Sequence, residues 1–582
     1  MKQLFNSRSK IVVGILFLVF FIFAVTLFVI QIIRHDYYLA VTDDQKTTKL
    51  TIKATRGQIY IRDRNNFSPL VLNEPVYTIF ADPQEIDNKD KVIDLIRKTV
   101  PDLVIPENLE LLDNKKIQYV VLAKQVSRKD AVKIKDAKLD GVGVQQGTRR
   151  MYPEEGLAGQ TLGFVNIDGF GQYGIEQYLD DDLAGVDGVL KSTITSSGIP
   201  LTIGANDVRI PAVNGKNIVL TLDRNIQTQA ELFLKNGLNR VSATKGSILV
   251  MDPQNGEVLA MANYPSYNPG QFYKVMDADL FQNRVVSYPY EPGSVTKTLT
   301  TAAALNSAAI TSESRFVNND CVQIYDAEIC NVSTVRGKDG IVMGPLEVLQ
   351  FSLNTGAIWM LESMGGGEIN YKAKQTLYEY FHDRYLMTKK TGIEQAGEAI
   401  GMINKPDSVE GGPVNYANMS FGQGFTTTMI EMASAFSASI NGGTFYRPHL
   451  VYGHLSSENK LQKIETDIIK TEIVSETTSK QLVNMMIQAR QLTFSDNRDN
   501  GYFVGAKSGT AQIYDPTTGK YSEDITVGTY LGFGADKSKT PRYVIIVRVD
   551  DPRTNFIYAS DAASPIFTEM SNYIINYLGI SK

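Results

Sequence analysis

The chain has 582 residues, too many for one hydrophobic core, so two or more domains are expected. Its composition, 43% hydrophobic and 21% charged with a formal net charge of −5, is that of a globular protein and gives no reason to expect a nucleic-acid partner. The four histidines are scattered and H-E-x-x-H does not occur, so a zinc-peptidase reading has no support; two cysteines are a poor ligand set for any metal.

Residues 11–33 are almost wholly apolar and span roughly 30 Å as a helix. No small-residue cleavage site follows, so the run reads as an uncleaved anchor. Lys2, Arg8 and Lys10 precede it, and Asp36, Asp43 and Asp44 follow. The positive-inside rule then puts residues 1–10 in the cytoplasm and everything after residue 33 outside. In an oxidising space Cys321 and Cys330 read as a small disulfide loop or as two free thiols.

Residues 34–50 read as a polar, partly helical stalk. The segment T-R-G-Q-I-Y-I-R-D-R-N, 55–65, reads as a strand and turn, and 71–82 and 117–146 as irregular α+β structure. Residues 149–188 are glycine-rich with no phosphate-loop spacing, hence scaffold. A boundary is expected at 205–217. Beyond it come a strand at 218–222, an amphipathic helix at 225–234, and strands at 246–251 and 257–262 joined by a turn. Helical patterns dominate to about residue 445. Strands return at 502–512, 527–534 and 542–549, and 564–579 reads as a last amphipathic helix. This order suits one sheet with helices packed on it.

The chemistry centres on E-P-G-S-V-T-K, 291–297, followed by a small, apolar helix. Ser294 and Lys297 fall on one helical face. In a dry pocket the amine is neutral and can take the hydroxyl proton, while helix N-terminal N–H groups can hold an oxyanion. S-x-x-K also occurs at Ser7, Ser242 and Ser457, but only Ser294 has a turn before it and an apolar helix after it. A serine–lysine site needs a relay and a carboxylate anchor. S-x-N occurs at Ser266, Ser352, Ser439, Ser457 and Ser495; Ser352-Leu353-Asn354 lies between helical segments, whereas Ser495-Asp496-Asn497 lies in a polar run. K-[TS]-G occurs at Lys390 and at Lys507-Ser508-Gly509-Thr510, and only the second stands in a strand pattern. Ser294 with Lys297, Ser352 with Asn354, and Lys507 are therefore the candidates.

This ordered set resembles a class B penicillin-binding protein, a monofunctional D,D-transpeptidase, over nearly the whole chain, from A-T-R-G-Q-I-Y-I-R-D-R-N through Y-G-I-E-Q, E-P-G-S-V-T-K and F-S-L-N to K-S-G-T-A. The Asn-Tyr-Pro-Ser-Tyr-Asn-Pro stretch and Glu291 look closest to the septal division type. The resemblance implies an α+β architecture: an anchor at 11–33, an extended pedestal at 34–210, and a serine β-lactamase-like transpeptidase domain at 215–582. That domain would hold a five-stranded antiparallel sheet with helices on both sides and an all-helical subdomain. Ser294 is implied as nucleophile, Lys297 as base, Ser352 and Asn354 as relay and amide holder, and Lys507 as the positive charge. Ser508, Gly509 and Thr510 would bind the substrate carboxylate and oxyanion. No cofactor or metal is implied. Partners would be peptidoglycan stem peptides, β-lactams, a membrane glycosyltransferase and division or elongation proteins. An elongation role, a β-lactam sensor or hydrolase, and an inactive division scaffold are the alternative readings.

Overall fold

The computed structural model describes residues 7–35, 37–38, 47–193, 208–332, 337–456, 458–494, 499–515, 520–553 and 559–582. Most of the expected stalk, the first residues of the boundary at 205–217, and the decoys Ser457 and Ser495-Asp496-Asn497 lie outside them. The chain forms two compact units, Met1–Arg56 with Ala184–Gly215, and Gly57–Leu183 with Lys216–Lys582.

In the first unit, Ser7–Phe28 is an α-helix that runs on as a π-helical turn, Val29–Ile33. Among the described residues, Lys10–Ile33 is the one helix long and apolar enough to cross a membrane. Its side chains are exposed on every side (Phe17 and Phe20 each 72%), which is unfavourable in water and suited to hydrocarbon. Thr47–Ile52 pairs antiparallel with Gly188–Thr193, which pairs with Val208–Ile210.

The second unit contains a seven-stranded sheet. Ile59–Asp63 lies parallel to Asn217–Asp223 and antiparallel to Asn66–Ala81, so strands from the first third of the chain share a sheet with Asn217–Asp223 and Val451–Leu455. The alternation in I-Y-I-R-D buries Ile59 and Ile61 completely, and Arg62 on the other face pairs with Glu257 at 2.6 Å. The region expected to be irregular at 71–82 belongs to a 16-residue strand, Asn66–Ala81. Pro69 and Pro75 hid it from pattern reading, because a proline inside a run argues against a strand.

The sheet that carries the site comes next. Helix α1 (Arg224–Arg240) precedes strands β1 (Lys245–Met251) and β2 (Val258–Tyr264). Helices α2 (Lys297–Asn306), α3 (Pro345–Phe351), α4 (Asn354–Met364), α5 (Met429–Ile440) and α6 (Glu476–Thr493) follow. Strands β3 (Phe503–Asp515), β4 (Lys520–Ala535) and β5 (Pro541–Asp550) and helix α7 (Ala559–Tyr577) end the chain. The order is β2-β1-β5-β4-β3, antiparallel throughout.

Both faces of this sheet are covered, so its central strands read as continuous apolar runs. Ile248, Val250, Ile545 and Val547 join the core beneath α1 and α7. Leu249, Met251, Val544 and Ile546 point the other way, into the core with α2, α5 and α6. Each such side chain contributes about 1.5–3 kcal/mol on burial. The stretch before residue 445 is not all helix: Cys321–Ile324 and Ala327–Cys330 form a hairpin, and Phe316–Val317 pairs with Val342–Met343. These strands have two to four residues each, too short for a period-2 pattern to show.

Candidate active site

Gly293–Thr296 is a single 3-10 turn that becomes α-helical at Lys297. In a 3-10 turn positions i and i+3 eclipse, so the S-x-x-K spacing stacks the Ser294 and Lys297 side chains. Every residue of α2 from Lys297 to Leu305 is buried. Its threonines tolerate this because each hydroxyl donates locally or to a neighbour: Thr298 to Val295 O, Thr300 to Ser420 O and Thr301 to Lys297 O, all at 2.7 Å. Lys297 is therefore held in a dry, fully built environment.

Four oxygens lie within hydrogen-bond distance of the lysine amine, three of them closer than 3 Å and the fourth, Ser352 Oγ, at 3.3 Å. Lys297 Nζ lies 2.9 Å from Ser294 Oγ, 2.7 Å from Ser352 O and 2.7 Å from Asn354 Oδ1. The carbonyl and the amide oxygen are acceptors only. A neutral amine has two N–H bonds and one lone pair. With the two N–H bonds given to those acceptors, the lone pair is left to accept the Ser294 hydroxyl proton. Burial pushes the Lys297 ammonium well below the ordinary lysine range, and the charge of Lys507 pushes it further.

Ser352 caps α3 with a left-handed backbone, φ +57°, and Asn354 starts α4 two residues later. That sharp junction turns the Ser352 carbonyl and the Asn354 amide oxygen toward one amine. Ser352 Oγ lies 3.3 Å from Lys297 Nζ and 2.8 Å from Lys507 Nζ, so one hydroxyl joins the two lysines. Lys507 also donates to Ser508 O at 2.9 Å, with Ser508 Oγ at 3.4 Å. Burial lowers Lys507 to about 7.

Strand β3 runs against the Ser294 turn. A Cβ on Gly509 would stand 2.7 Å from Pro292 O, and one on Gly293 would stand 2.7 Å from Thr510 O, so the two segments touch backbone to backbone. Ser294, Lys297, Ser352, Asn354, Lys507 and Ser508 are thus joined by hydrogen bonds, with Gly509 and Thr510 packed beside the turn.

The decoys go elsewhere. Lys390 and Thr391 line a cavity of about 410 Å³, and the Thr391 N–H and hydroxyl both donate to Glu398 at 2.6 Å. Ser439 Oγ donates to Ala435 O, and Ser266 Oγ to Gln160 Oε1. Ser7 lies in the apolar N-terminal helix, and Ser242 in a turn before β1.

Three features escaped the sequence reading. Asn354 Nδ2 donates to Cys330 O at 2.9 Å, so the amide is gripped from behind by the hairpin that the Cys321–Cys330 disulfide closes. Asn331, next to Cys330, donates to Thr355 Oγ1 and accepts from Thr355 N at the start of α4. The loop containing Phe421-Gly422-Gln423-Gly424 clamps the nucleophile turn: Gly293 N donates to Gly422 O, Gly424 N to Glu291 Oε1, and Tyr290 exchanges backbone hydrogen bonds with Thr427. Of the three, the loop alone carries a sequence signal: Ser420-Phe421-Gly422-Gln423-Gly424 resembles a secondary motif of the penicillin-binding proteins, although the clamp it forms does not follow from those letters. Among the described residues, Cys321, Glu328 and Cys330 are the one cluster of metal-ligating types, and its two sulfurs are bonded to each other.

Residues 246–572 match the penicillin binding protein transpeptidase domain, and residues 51–220 the penicillin-binding protein dimerisation domain. Stage V sporulation protein D of Bacillus subtilis is 30% identical, over 98% of this chain and 86% of its own. The probable peptidoglycan D,D-transpeptidase PenA of Neisseria meningitidis is 27% identical, over 95% of this chain and 89% of its own. The crystal structure of penicillin binding protein 2X from Streptococcus thermophilus superposes with a TM-score of 0.71 at 24% identity, covering 91% of this chain and 80% of that one, a likeness of fold. The chain therefore belongs to the penicillin-binding protein family, with a transpeptidase domain behind a dimerisation domain.

Proposed function

We propose that this protein is a membrane-anchored serine D,D-transpeptidase of class B type that crosslinks peptidoglycan stem peptides, with the pedestal at 34–210 and the catalytic domain at 215–582 outside the cell. The observation that carries the reading is the Lys297 amine, whose two acceptor-only partners leave its lone pair for Ser294 Oγ.

Lys297 takes the Ser294 proton as Oγ attacks the carbonyl carbon of the penultimate D-alanine. The backbone N–H groups of Ser294 and Thr510 receive the oxyanion. The C–N bond breaks, the proton passes through Ser352 to the departing amine of the terminal D-alanine, and an ester on Ser294 remains. Asn354 keeps Lys297 and the substrate amide in place. Lys507, Ser508 and Thr510 hold the substrate carboxylate. An amine from a second stem then attacks the ester carbon, the C–O bond to Ser294 breaks, and the amine proton returns to Oγ.

β-Lactams acylate the same serine because they present the same end group. Incubation of membranes with a fluorescent penicillin, followed by peptide mapping, tests the reading. A long-lived adduct on Ser294, lost in Ser294→Ala, supports it; no adduct sinks it, and rapid turnover points to a hydrolase.

The septal assignment rests on the letters of N-Y-P-S-Y-N-P and on Glu291, and the partners would be a glycosyltransferase and division proteins. A fluorescent fusion tests it by its position, mid-cell for a septal enzyme and the side wall for an elongation enzyme. The basic residues before the apolar helix favour a cytoplasmic N-terminus. Protease protection of the tail in sealed spheroplasts checks that orientation.

A further inference from the structure

The K-T-G sequence at Lys390 takes no part in the Ser294 site, but the cavity of about 410 Å³ that it lines has a buried acid in its wall, Glu431 of α5. Glu431 is 1% exposed. Four donors, all uncharged, hold its two oxygens. Gly401 N–H donates to Oε1 at 3.0 Å. Thr428 N–H, the Thr427 hydroxyl and the Thr428 hydroxyl donate to Oε2 at 2.7, 3.1 and 3.2 Å.

These donors sit on segments that lead to the nucleophile. Thr426 exchanges backbone hydrogen bonds with Met402, each at 3.0 Å, and Thr427 exchanges them with Tyr290 at 2.9 and 3.0 Å. Only Glu291, Pro292 and Gly293 separate Tyr290 from Ser294. The run 426–428 is thus tied on one side to 401–402 and on the other to the entry of the nucleophile turn. Glu431 closes the arrangement. One oxygen reaches Gly401 and the other reaches Thr427 and Thr428, so a single side chain holds both segments against the first turn of α5.

All four contacts need an oxygen that accepts. A carboxylate offers acceptor sites only, whereas a protonated carboxyl carries one O–H. On Oε1 that proton would point at the Gly401 N–H. On Oε2 it would crowd the Thr428 N–H and force a threonine hydroxyl to turn from donor to acceptor. Either way a buried backbone N–H loses a full partner, which is costly where water does not replace it. Burial pushes the Glu431 carboxyl up to about 7, against the pull of its hydrogen bonds. The charged groups that share its cavity wall are Lys389, Lys390, Lys470 and Asp383. On the neighbouring segments, Glu398 is held by Thr391 at 2.6 Å and Arg447 by Asp467 at 2.8 Å.

We propose that Glu431 is a positioning residue for Ser294: its carboxylate braces the run 426–428 and, through Tyr290, the nucleophile turn, and uptake of a proton loosens the brace and slows acylation. The proposal rests on the reading of Ser294 as nucleophile and adds to it a proton-sensitive support outside the reacting groups. Glu431 acts only through Thr427, Thr428 and Gly401. Its effect is therefore separate from the proton that Lys297 must lose, although both slow the enzyme in acid.

The test uses the full-length protein in detergent and the rate constant for fluorescent-penicillin labelling of Ser294. Glu431→Gln has the shape of the protonated acid and keeps a donor on one of the two atoms at every pH. The readout is the ratio of the unsubstituted rate to the variant rate as pH changes. Loss of the Lys297 and Lys507 protons affects both proteins alike and cancels in that ratio. The ratio should be roughly tenfold near pH 8.5 and fall to within about twofold of one near pH 5.5. Labelling at saturation counts the competent sites, so a partly unfolded preparation does not alter the rate per site. Thr427→Val leaves the acid in place but removes one donor to it, and should move the acid-side loss of rate to higher pH. A Glu431→Gln ratio that is constant with pH, whether large or equal to one, overturns the proposal, as does an unmoved profile in Thr427→Val. Failure of the underlying reading shows separately, as the absence of a penicillin adduct on Ser294 in the unsubstituted protein at every pH.

Discussion

Lys297 and Lys507 meet at one oxygen: Ser352 Oγ lies 3.3 Å from the first amine and 2.8 Å from the second. Both lysines are almost completely excluded from solvent. Two buried ammonium groups about one hydroxyl repel each other, so the site favours one neutral amine and one charged amine. In the proposed mechanism the neutral one is Lys297, which must accept a proton, and the charged one is Lys507, which must face a carboxylate. Acylation by penicillin should then follow a bell-shaped pH profile. The rising limb tracks loss of the Lys297 proton. The falling limb tracks loss of the Lys507 proton, at about 7. Lys507→Arg keeps the charge at all accessible pH values. Its falling limb should disappear even though its maximum rate drops. Rate constants for fluorescent-penicillin labelling from about pH 5 to about pH 10 check this, and an unmoved limb in the variant rules it out.

The same lysine predicts an effect on stability. Lys507 titrates at about 7 when folded and near 10.4 when unfolded. Between those values the unfolded chain binds more protons, so stability rises with pH across that window. Below about 7 the folded protein carries the full cost of burying the charge. Lys507→Met removes that cost, at most on the order of 4–5 kcal/mol. The variant should melt at a higher temperature than the unsubstituted protein near neutral pH, and the difference should shrink as pH rises toward about 10. Paired melting curves across that range read it directly; a difference that does not vary with pH contradicts the assignment.

Gly422 gives a prediction without titration. A Cβ at this position would stand 1.8 Å from Gly293 O, and its φ of +101° disfavours any other residue. Gly422→Ala must push the nucleophile turn away from the loop that clamps it. A shift of about 1 Å in a reacting atom lowers rate roughly 100-fold. Penicillin acylation of Ser294 should fall by about that factor, while the far-ultraviolet circular dichroism stays that of the unsubstituted protein. Acylation within about threefold of the original would show that the clamp does not set the serine's position.

Much of this arrangement was legible because its parts are local. The 3-10 turn at Ser294 follows from Pro292-Gly293 and the small residues after it. The strand carrying Lys507 follows from its apolar run, and the helix–helix junction at Ser352 from the patterns on either side. The hidden parts are contacts across long sequence separation with no letter code. Asn354 finds a backbone carbonyl at Cys330, and any residue type supplies a carbonyl. The parallel pairing of Ile59–Asp63 with Asn217–Asp223 joins segments more than 150 residues apart. The long strand Asn66–Ala81 was masked by two prolines that the sheet accommodates, Pro69 opposite Tyr60 and Pro75 opposite Thr148.

The Cys330 carbonyl leads to a last prediction. Asn354 Nδ2 is anchored on it at 2.9 Å while Asn354 Oδ1 accepts from Lys297 Nζ at 2.7 Å. The hairpin that presents the carbonyl has only four residue pairs, Cys321↔Cys330 to Ile324↔Ala327. A two-stranded hairpin of that size is marginal without a crosslink. The disulfide closing so short a loop contributes about 2–3 kcal/mol. Asn354→Ala removes a hydrogen bond to the amine and should slow acylation roughly tenfold or more. Reduction of the disulfide should slow it too, by letting the carbonyl drift. If the route runs through Asn354, the two losses do not add, and reduction has little further effect in the Asn354→Ala background. Acylation rates for both proteins, with and without a thiol reductant, form the cycle. Equal losses on reduction in both backgrounds would mean that the hairpin acts on the site by another path.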